Sequence, residues 1–331
     1  MIITRTPYRV SFFGGGTDYP GWIREHGGAV LATAIDKFCY ITCRRLPPFF
    51  EHKHRIVYSV IENVASIDQI KHPAVRAALQ FENVMEGLEI HHDGDLPARS
   101  GLGSSSSFTV GLVHALHALR GSMSNKTQLA NTAIHIEQEL LRENVGSQDQ
   151  VLAAYGGLNH VQFLPDGTFD VIPVIVPQQR KTELKSHLML FFTGFSRFAS
   201  EVAKSQLANM AAKKKQLMRM QAMVDEGLEI FVNSSAPITA FGELLHEAWQ
   251  SKRSLSEMVT TPEIDEIYQA ARDAGAIGGK LLGAGGGGFM LIFAKPERHA
   301  AIRERLNKLI HVPFDFEESG SRVVLYQPNG L

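Results

Sequence analysis

The chain has 331 residues, 44% of them hydrophobic, which is enough for a sizeable core and suggests two packed domains. Lysine and arginine number 33 against 34 aspartates and glutamates, so the net charge of -1 gives no general attraction to nucleic acid or an anionic membrane. The start of the chain lacks a signal-peptide core, and no stretch approaches the roughly 18 uncharged residues of a membrane span. We therefore expect a cytoplasmic protein without nucleic-acid or membrane partners.

The two cysteines lie four residues apart in "FCYITCRR", a segment that alternates like a strand. In a strand the Cα atoms of Cys39 and Cys43 would be about 13 Å apart, which is too far for a disulfide. We therefore expect two buried, reduced thiols.

The first third of the chain is predicted to form strands, because β-branched and aromatic runs alternate there with turn residues. These runs cover residues 2–13, 28–35, 37–45 and 55–61. A helix is predicted over 73–81, followed by a strand from residue 87. Apolar residues at three- and four-residue spacings then predict helices over 104–119 and 126–143, and "LNHVQFLPDGTFDVIPV" predicts a hairpin.

The polar stretch "VPQQRKTELK", residues 176–185, is interpreted as an irregular domain boundary. It would separate an N-terminal domain, residues 1–175, from a C-terminal domain, residues 176–331. The C-terminal domain is predicted to contain a strand at 187–193, two long helices within 200–258, strands at 280–284 and 288–294, a helix near 297–309 and a last strand at 322–327. Because runs of strands and runs of helices are segregated, an α+β fold is favoured over a doubly wound sheet.

The segment "LPARSGLGSSSSF", residues 96–108, places two glycines and four serines before a predicted helix. A helix N-terminus carries unpaired N–H groups and about half a positive charge, so a glycine-rich turn there is suited to phosphate. Gly101 and Gly103 would let the backbone approach the ligand, and the hydroxyls would bind phosphate oxygens or Mg²⁺. A serine N-cap with solvated neighbours is the structural alternative.

Two common phosphate motifs are excluded by their context. "GLGSSSS" lacks the lysine of a P-loop, and "GAIGGKL" has the wrong spacing. "GAGGGG", residues 283–288, matches GxGxxG, but a strand-like run follows it where a dinucleotide site requires a helix. A site built from other parts of the chain must therefore be considered.

Three further segments carry residues suited to a ligand site. "TPYRVSFFGGGTDYPGW" puts a glycine run and Asp18 directly after a strand. "KLLGAGGGGFMLIF" joins two strands through glycines, which indicates a close approach to the backbone. "HIEQELLRENVGSQDQ" ends with Asp149 beside an apolar run, where burial is favoured over a solvated acidic face.

In this order, the segments resemble the motifs of the GHMP kinase superfamily over nearly the whole chain. The resemblance rests on "PYRVSFFGGGTDYP", "PARSGLGSSSS" and "KLLGAGGGGF". It implies an N-terminal domain related to a ribosomal-protein fold, a ferredoxin-like C-terminal domain, and ATP with Mg²⁺ and the acceptor between them.

The resemblance also implies roles for individual residues. Asp149 would accept the proton of the acceptor hydroxyl, and Arg9 would pair with it. Mg²⁺ would be bound by Glu137 and by Ser104 or Ser105. The positions implied to bind ATP are Pro97, Ser100, Gly101, Leu102, Gly103, Ser104, Ser105 and Ser106. Those implied to bind substrate are Gly14, Gly15, Gly16, Thr17, Asp18, Gly285, Gly286 and Gly287.

Within the superfamily, galactokinases have Glu-His where this chain has Gly15-Gly16, which argues against galactose. "FFGGGTDYP" with "VGSQDQ" is most similar to kinases that phosphorylate the anomeric hydroxyl of D-glycero-D-manno-heptose 7-phosphate, for surface-polysaccharide synthesis. A fucokinase-like sugar 1-kinase and a non-catalytic sugar-binding member are the alternatives. The expected partner is a small sugar phosphate, and a homodimer is left open.

A phosphorylated acceptor requires basic side chains besides those serving ATP. The sequence offers Arg44, Arg45, Lys53, Arg55 and Arg197 as candidates. Each taken alone is a typical solvated surface charge.

Overall fold

The computed structural model describes residues 1–98, 100–194 and 199–328, without the side chains at 199 and 200. Within these ranges the strands form two sheets. The larger sheet contains β1 (Ile2–Phe13), β2 (Gly28–Arg45), β3 (His54–Val57), β4 (Ile61–Val64), β5 (Leu88–Gly94), β6 (Leu158–Phe163), β7 (Phe169–Pro173) and β12 (Arg322–Tyr326). The smaller sheet contains β8 (Leu188–Phe192), β9 (Gly278–Leu281), β10 (Phe289–Phe293) and β11 (Ile310–His311).

Strand β2 organises the larger sheet because its 18 residues pair with three other strands. Strand β1 runs antiparallel along one side of it, with Ile2 opposite Cys43 and Arg9 opposite Ala34. On the other side, β6 pairs with the first half of β2 and β5 with the second half. The order is β12-β1-β2-β5-β3-β4, with the β6–β7 hairpin beside the first half of β2.

The helices differ in which sheet they cover. Helix α3 packs against β1, β2 and α5, whereas α9 packs against α8 and β9. A π-helical segment, His135–Leu140, continues α4 directly. The helices are α1 (Pro20–His26), α2 (Pro73–Phe81), α3 (Ser104–Leu119), α4 (Lys126–Ile134), α5 (Gln148–Tyr155), α6 (Gln178–Ser186), α7 (Ala199–Asn209), α8 (Lys214–Val232), α9 (Thr239–Arg253), α10 (Pro262–Asp273) and α11 (His299–Arg305), with short 3-10 turns at Ile67–Gln69 and Pro296–Arg298.

Aromatic side chains connect the two sheets through a shared core. Phe12 and Phe13 of β1 contact Phe241 of α9 edge-on, with ring centroids 5.4 and 4.9 Å apart. Phe241 also lies near Phe293 of β10, and all four rings are at most 1% exposed. Offset and edge-on aromatic pairs add to the free energy of simple area burial. The core therefore fixes the smaller sheet beside β1.

Several predicted elements are confirmed, and others differ in their bounds. The helices over 73–81 and 104–119 and the strand over 2–13 are confirmed. The two strands predicted within 28–45 are one continuous strand, and the strand predicted over 55–61 is divided into β3 and β4. The segment 200–258 forms three helices instead of two.

The prediction of irregular structure at 176–185 is wrong, because residues Gln178–Ser186 form helix α6. Arg180 and Leu184 of this helix are buried. The Arg180 guanidinium donates hydrogen bonds to the carbonyls of Ile230 and Ala236, at 2.8 and 2.9 Å, around the end of α8. A cation near a helix C-terminus satisfies carbonyls that lack partners within the helix. The division of domains at residue 175 stays a prediction.

The last strand was predicted to complete the C-terminal domain, but β12 pairs with β1 in the larger sheet. Its side chains alternate between exposed and half-buried, which suits an edge strand with one solvated face.

The predicted thiol state is confirmed, since Cys39 and Cys43 are buried and free, and burial raises the pKa of both. Among the helices of the described ranges, none is long and apolar enough to cross a bilayer.

Candidate active site

The glycine-serine segment forms the start of helix α3. Gly103 is the N-cap residue, at φ 75° and without a side-chain cap, and Gly101 has φ 83°. The serine N-cap alternative is therefore wrong, because Ser104 begins the helix itself. The first turn itself contains no acidic residue, so none of its own side chains offsets the positive potential of its N–H groups. This helix start has the form of an anion cradle.

The two glycine motifs of the chain lie against each other. Phe289 donates its N–H to Ser100 O at 3.1 Å. A Cβ built on Gly283 would lie 2.5 Å from Gly101 Cα, and one built on Gly288 would lie 2.2 Å from Ser100 O. No side chain fits at either position. The C-terminal motif therefore supports the backbone that leads into α3.

Arg9 and Asp149 form a bidentate ion pair. Arg9 Nε donates to Asp149 Oδ1 at 2.7 Å, and Nη2 donates to Oδ2 at 2.8 Å. The third guanidinium nitrogen donates to Gly101 O at 2.7 Å, and the Arg9 backbone N–H donates to Leu102 O at 3.0 Å. The Arg9 side chain is 5% exposed, whereas that of Asp149 is 26% exposed. Arg9 thus holds a carboxylate that a ligand can still reach.

This carboxylate lies directly beside the start of α3. A Cβ built on Gly103 would lie 3.4 Å from Asp149 Oδ2 and 3.3 Å from Arg9 Cγ. A phosphate held at the helix start and a hydroxyl held at the carboxylate would therefore be neighbours. General-base chemistry requires this proximity.

A second carboxylate, Glu137 of the π-helical segment, is fully buried behind the same helix. Its Oε2 accepts hydrogen bonds from Ser106 Oγ at 2.8 Å and Gln150 Nε2 at 2.5 Å. Burial raises the pKa of Glu137 to about 7. Glu137 Oε1 and Gln150 Oε1 are buried without a hydrogen-bond partner in the described part of the chain. These oxygens fit Mg²⁺, which prefers oxygen ligands.

The Ser106 hydroxyl donates to this carboxylate, although the sequence suggested Ser104 or Ser105 as the metal ligand. Ser106 is buried, Ser104 is half-buried and Ser105 is exposed. All three lie in the first turn of α3. The metal roles of Ser104 and Ser105 stay predictions.

The first motif turns beneath the start of α5. Gly14 and Gly16 have φ 84° and 107°, and Thr17 Oγ1 donates to Gly14 O at 2.8 Å. The Asp18 carboxylate accepts from the backbone N–H groups of Gly16 and Gln148, at 2.9 and 3.3 Å. Asp18 is 2% exposed, and burial raises its pKa. Asp18 thus connects this motif to the residue before Asp149, while its contact with substrate stays a prediction.

The other predicted positions have varied surroundings. Pro97 is exposed, and Ser100 is buried with a hydroxyl that lacks a partner within the described ranges. Gly286 donates its N–H to Val259 O at 2.9 Å, and a Cβ built on Gly285 would lie 2.6 Å from that oxygen. The glycines at 285–287 therefore lie close to the segment after α9, and their predicted contact with substrate is not tested by this packing.

Sequence reasoning missed two buried lysines on the C-terminal side of the site. Lys280 of β9 donates to Phe12 O at 2.9 Å. Lys252 of α9 donates to Leu281 O at 3.0 Å and also to Gly283 O. Lys280 stands directly before the glycine motif, which is a usable signal, whereas nothing around Lys252 marks it in the sequence.

Burial lowers the pKa of both ammonium groups. It lowers that of Lys280 to about 7, with a further contribution from Arg9. The pKa of Lys252 is lowered well below its usual value by burial and then by Lys280 and Arg9. Three cationic side chains therefore converge near Asp18 and Asp149. Such perturbed groups in a cleft are typical of ligand sites.

The predicted basic residues for a substrate phosphate lie far from Asp149, so that prediction is wrong for the described candidates. Arg44 lies ten residues along β2 from Ala34, the partner of Arg9, which corresponds to about 30 Å. Arg44 and Arg55 both face Glu89, at 2.7 and 3.6 Å. Arg45 and Lys53 are neighbours of these two in the chain. Arg197 lies outside the described residues.

Comparison with known proteins agrees with this geometry. Residues 69–157 match the family model of the GHMP kinases N terminal domain, and residues 236–311 match that of the GHMP kinases C terminal domain. The chain belongs to the GHMP kinases. It is therefore a phosphotransferase with a hydroxyl acceptor, and ATP is the phosphate donor of this family. The predicted resemblance and the two-domain α+β kinase fold are confirmed.

Individual relatives support the same family. The chain is 29% identical to a D-glycero-alpha-D-manno-heptose 7-phosphate kinase of Campylobacter jejuni, covering 93% of both chains. It is 27% identical to an L-fucokinase/L-fucose-1-P guanylyltransferase of Bacteroides fragilis, covering 92% of this chain and 36% of that protein. The structure of a D-glycero-D-manno-heptose 1-phosphate kinase from Bacteroides thetaiotaomicron has a TM-score of 0.79 at 22% identity, with 98% of both chains covered.

Proposed function

We propose that this chain is an ATP-dependent kinase for the anomeric hydroxyl of D-glycero-D-manno-heptose 7-phosphate, yielding the 1,7-bisphosphate. The observation that carries the proposal is the Arg9–Asp149 pair at the N-terminus of α3, where a proton acceptor and an anion cradle adjoin. The Campylobacter jejuni relative, similar over 93% of both chains, supports the choice of substrate.

In the proposed reaction, Asp149 accepts the proton of the sugar hydroxyl as its oxygen attacks the γ-phosphorus. The bond from that phosphorus to the bridging oxygen breaks, and ADP leaves with the electron pair. Arg9 fixes the carboxylate in one orientation through two parallel hydrogen bonds. One carboxylate orientation is therefore presented to the acceptor hydroxyl.

The phosphates of ATP would lie against the first turn of α3. Its backbone N–H groups face outward without a side-chain cap, and Gly103 leaves room for an oxygen next to them. Mg²⁺ would be held by Glu137 with Ser106 and Gln150, and when bound it neutralises charge on the phosphates. Lys252 and Lys280 add positive charge from the opposite side.

A fucokinase-like activity is the second candidate. Two relatives with fucokinase in their names, from Arabidopsis thaliana and Bacteroides fragilis, match 93% and 92% of this chain. A non-catalytic sugar-binding role is disfavoured because a base, its arginine partner and an anion cradle are all present in one place. Turnover separates these possibilities.

The experiment is a set of kcat/KM measurements with ATP and four acceptors: the heptose 7-phosphate, mannose, fucose and galactose. Two charge-assisted hydrogen bonds to the acceptor phosphate would favour the heptose 7-phosphate by about a hundredfold or more. A higher kcat/KM with free fucose would replace the proposal by the fucokinase-like activity. No turnover with any of the four would refute the proposed function.

A further inference from the structure

Two buried polar side chains near the Arg9–Asp149 pair have atoms without a partner. Ser11 is 5% exposed and Gln148 is 9% exposed. Ser11 Oγ and Gln148 Oε1 have no hydrogen-bond partner across the described part of the chain. A buried polar atom without a partner costs about 1 to 3 kcal/mol, so native proteins rarely retain one unless a ligand or water satisfies it.

Both side chains belong to residues that lie beside the Arg9–Asp149 pair in the chain. Ser11 stands two residues after Arg9 in β1, so the two side chains lie on the same face of the sheet. Gln148 is the residue before Asp149 at the start of α5. The unpartnered atoms therefore belong to residues next to Arg9 and Asp149 in their elements.

Gly15 shows that Ser11 and Gln148 also lie close to each other. A Cβ built on Gly15 would lie 3.6 Å from Gln148 Nε2 and 3.7 Å from Ser11 Oγ, with no other atom among its nearest neighbours within 4 Å. Gly15 is the partly exposed residue of the glycine run, whereas Gly14 and Gly16 are buried. The space above the two polar groups is thus open on one side.

The backbone of Gly15 does not itself require glycine. Gly14 and Gly16 have positive φ angles, which favour glycine, but Gly15 does not. A larger residue at position 15 would adopt this backbone conformation and would occupy the space over Ser11 and Gln148. The absence of a side chain there preserves a cavity next to the base.

We propose that Ser11 and Gln148 bind hydroxyl groups of the acceptor sugar next to the reacting one, and that Gly15 keeps this subsite open. The inference rests on the proposed sugar kinase activity and deepens it. A hydroxyl and a carboxamide both donate and accept, which matches the neutral hydroxyls of a sugar. An anionic group would instead be matched by cationic side chains. The subsite therefore selects the polyol part of the acceptor.

The first test uses Ser11→Ala and Gln148→Leu, assayed with the heptose 7-phosphate and ATP. Each variant removes a neutral hydrogen bond to the acceptor, so KM for the sugar should rise about three- to tenfold while KM for ATP stays within about twofold. Thermal unfolding provides the structural readout. Because Ser11 Oγ and Gln148 Oε1 have no partner among the described residues, both variants should be as stable as the wild type or more stable.

The second test fills the cavity with Gly15→Ala, whose added methyl group would make ordinary contacts at 3.6 and 3.7 Å. It should raise KM for the sugar by about tenfold, because the methyl group occupies the place of a sugar hydroxyl. Gly21→Ala, in α1, is the matched control, since a Cβ there would have only Met210 Sδ nearby, at 3.9 Å. Gly21→Ala should leave both KM values unchanged.

The outcomes distinguish the sugar subsite from the kinase activity itself. Wild-type turnover with unchanged sugar KM in all three variants would overturn the subsite and leave the kinase proposal standing. Lower stability of Ser11→Ala and Gln148→Leu in proportion to their lost activity would overturn it as well, because the side chains would then be structural. An inactive wild type on all four acceptors would overturn both proposals.

Discussion

The N-terminal and C-terminal sides of the candidate site differ in their charged groups. On the N-terminal side, Arg9 is paired with Asp149, and Glu137 is a buried acid whose Oε1 has no hydrogen-bond partner among the described residues. On the C-terminal side, Lys252 and Lys280 donate to backbone carbonyls, and in the described ranges neither makes a hydrogen bond to a carboxylate. In the proposed mechanism the first side serves proton transfer and the metal, and the second side serves the negative charge of the phosphates.

This difference supports the proposed position of the ATP polyphosphate between the two sides. Burial of an ammonium group without an anion is unfavourable, and the lowered pKa of each lysine reflects that cost. An anion between Arg9 and the lysines would reverse it.

The largest effect is expected from Asp149→Asn. The amide keeps the shape of the carboxylate but does not accept the proton, and loss of a general base commonly lowers kcat about 10²- to 10⁴-fold. The affinity for ATP should hardly change. Asp170→Asn, at an exposed position of β7, is the control and should leave kcat unchanged. Wild-type kcat in Asp149→Asn would contradict the assignment of the base.

The next effect is expected from Glu137→Gln, measured as the Mg²⁺ concentration needed for half-maximal activity. Loss of one anionic oxygen ligand should raise this concentration about 10- to 100-fold. Glu139→Gln, two residues along the same π-helical segment and exposed, should leave it unchanged. Equal Mg²⁺ requirements in the two variants would place the metal elsewhere.

Gly103→Ala tests how closely the N-terminus of α3 and the Asp149 carboxylate approach each other. The added Cβ would lie between the helix start and Asp149, so the Kd of ATP should rise about tenfold as the phosphates are displaced. Gly121→Ala is a close control, because its φ is 74° against 75° and no atom lies within 4 Å of its Cβ. Both variants should lose about 1 to 2 kcal/mol of stability. Weaker ATP binding in both would show that backbone strain, and not the site, is responsible.

The sequence could predict the N-terminal side well, because its residues lie in short motifs next to regular elements. Gly103 ends a turn directly before an apolar helix, and Arg9 and Asp149 each stand in a quoted motif of the family. These motifs consist of residues close together in the chain, so they do not depend on long-range contacts. The elements that carry them, β1 and α3, were also predicted with the observed bounds.

The C-terminal side depends on contacts distant in the chain, which composition does not reveal. Lys280 reaches Phe12 across 268 positions, and Arg180 reaches the end of α8 from a segment that looks irregular. The return of β12 to β1 is likewise a pairing across the whole chain. The predicted ligands of the substrate phosphate are wrong for the same reason, because distance from Asp149 depends on the fold. Arg44 and Arg45 lie at the opposite end of the long strand β2 from Ala34, the partner of Arg9.

The effect of Lys280→Met is on the pH dependence of stability and is expected to leave the chemistry of Asp149 in place. Burial lowers the pKa of Lys280 to about 7 in the folded protein, against about 10.4 in the unfolded chain. Between these values the unfolded chain binds a proton that the folded protein does not, so Lys280 makes wild-type stability rise with pH, by up to about 1.4 kcal/mol per pH unit. The variant lacks this contribution.

The stability of Lys280→Met relative to wild type should therefore be highest below pH 7 and should decline as the pH increases towards 9. Urea unfolding at pH 6, 7, 8 and 9 measures the difference, and Lys215→Met on the exposed part of α8 controls for the loss of one positive charge. Arg9 and Asp18 remain in both proteins. Lys252 loses the repulsion of Lys280 in the variant, which raises its pKa and makes the stability of the variant depend still less on pH. A difference that stays constant from pH 6 to pH 9 would mean that Lys280 titrates alike in the folded and unfolded chains, and the C-terminal side would then lack the buried, unneutralised charge that distinguishes it from the N-terminal side.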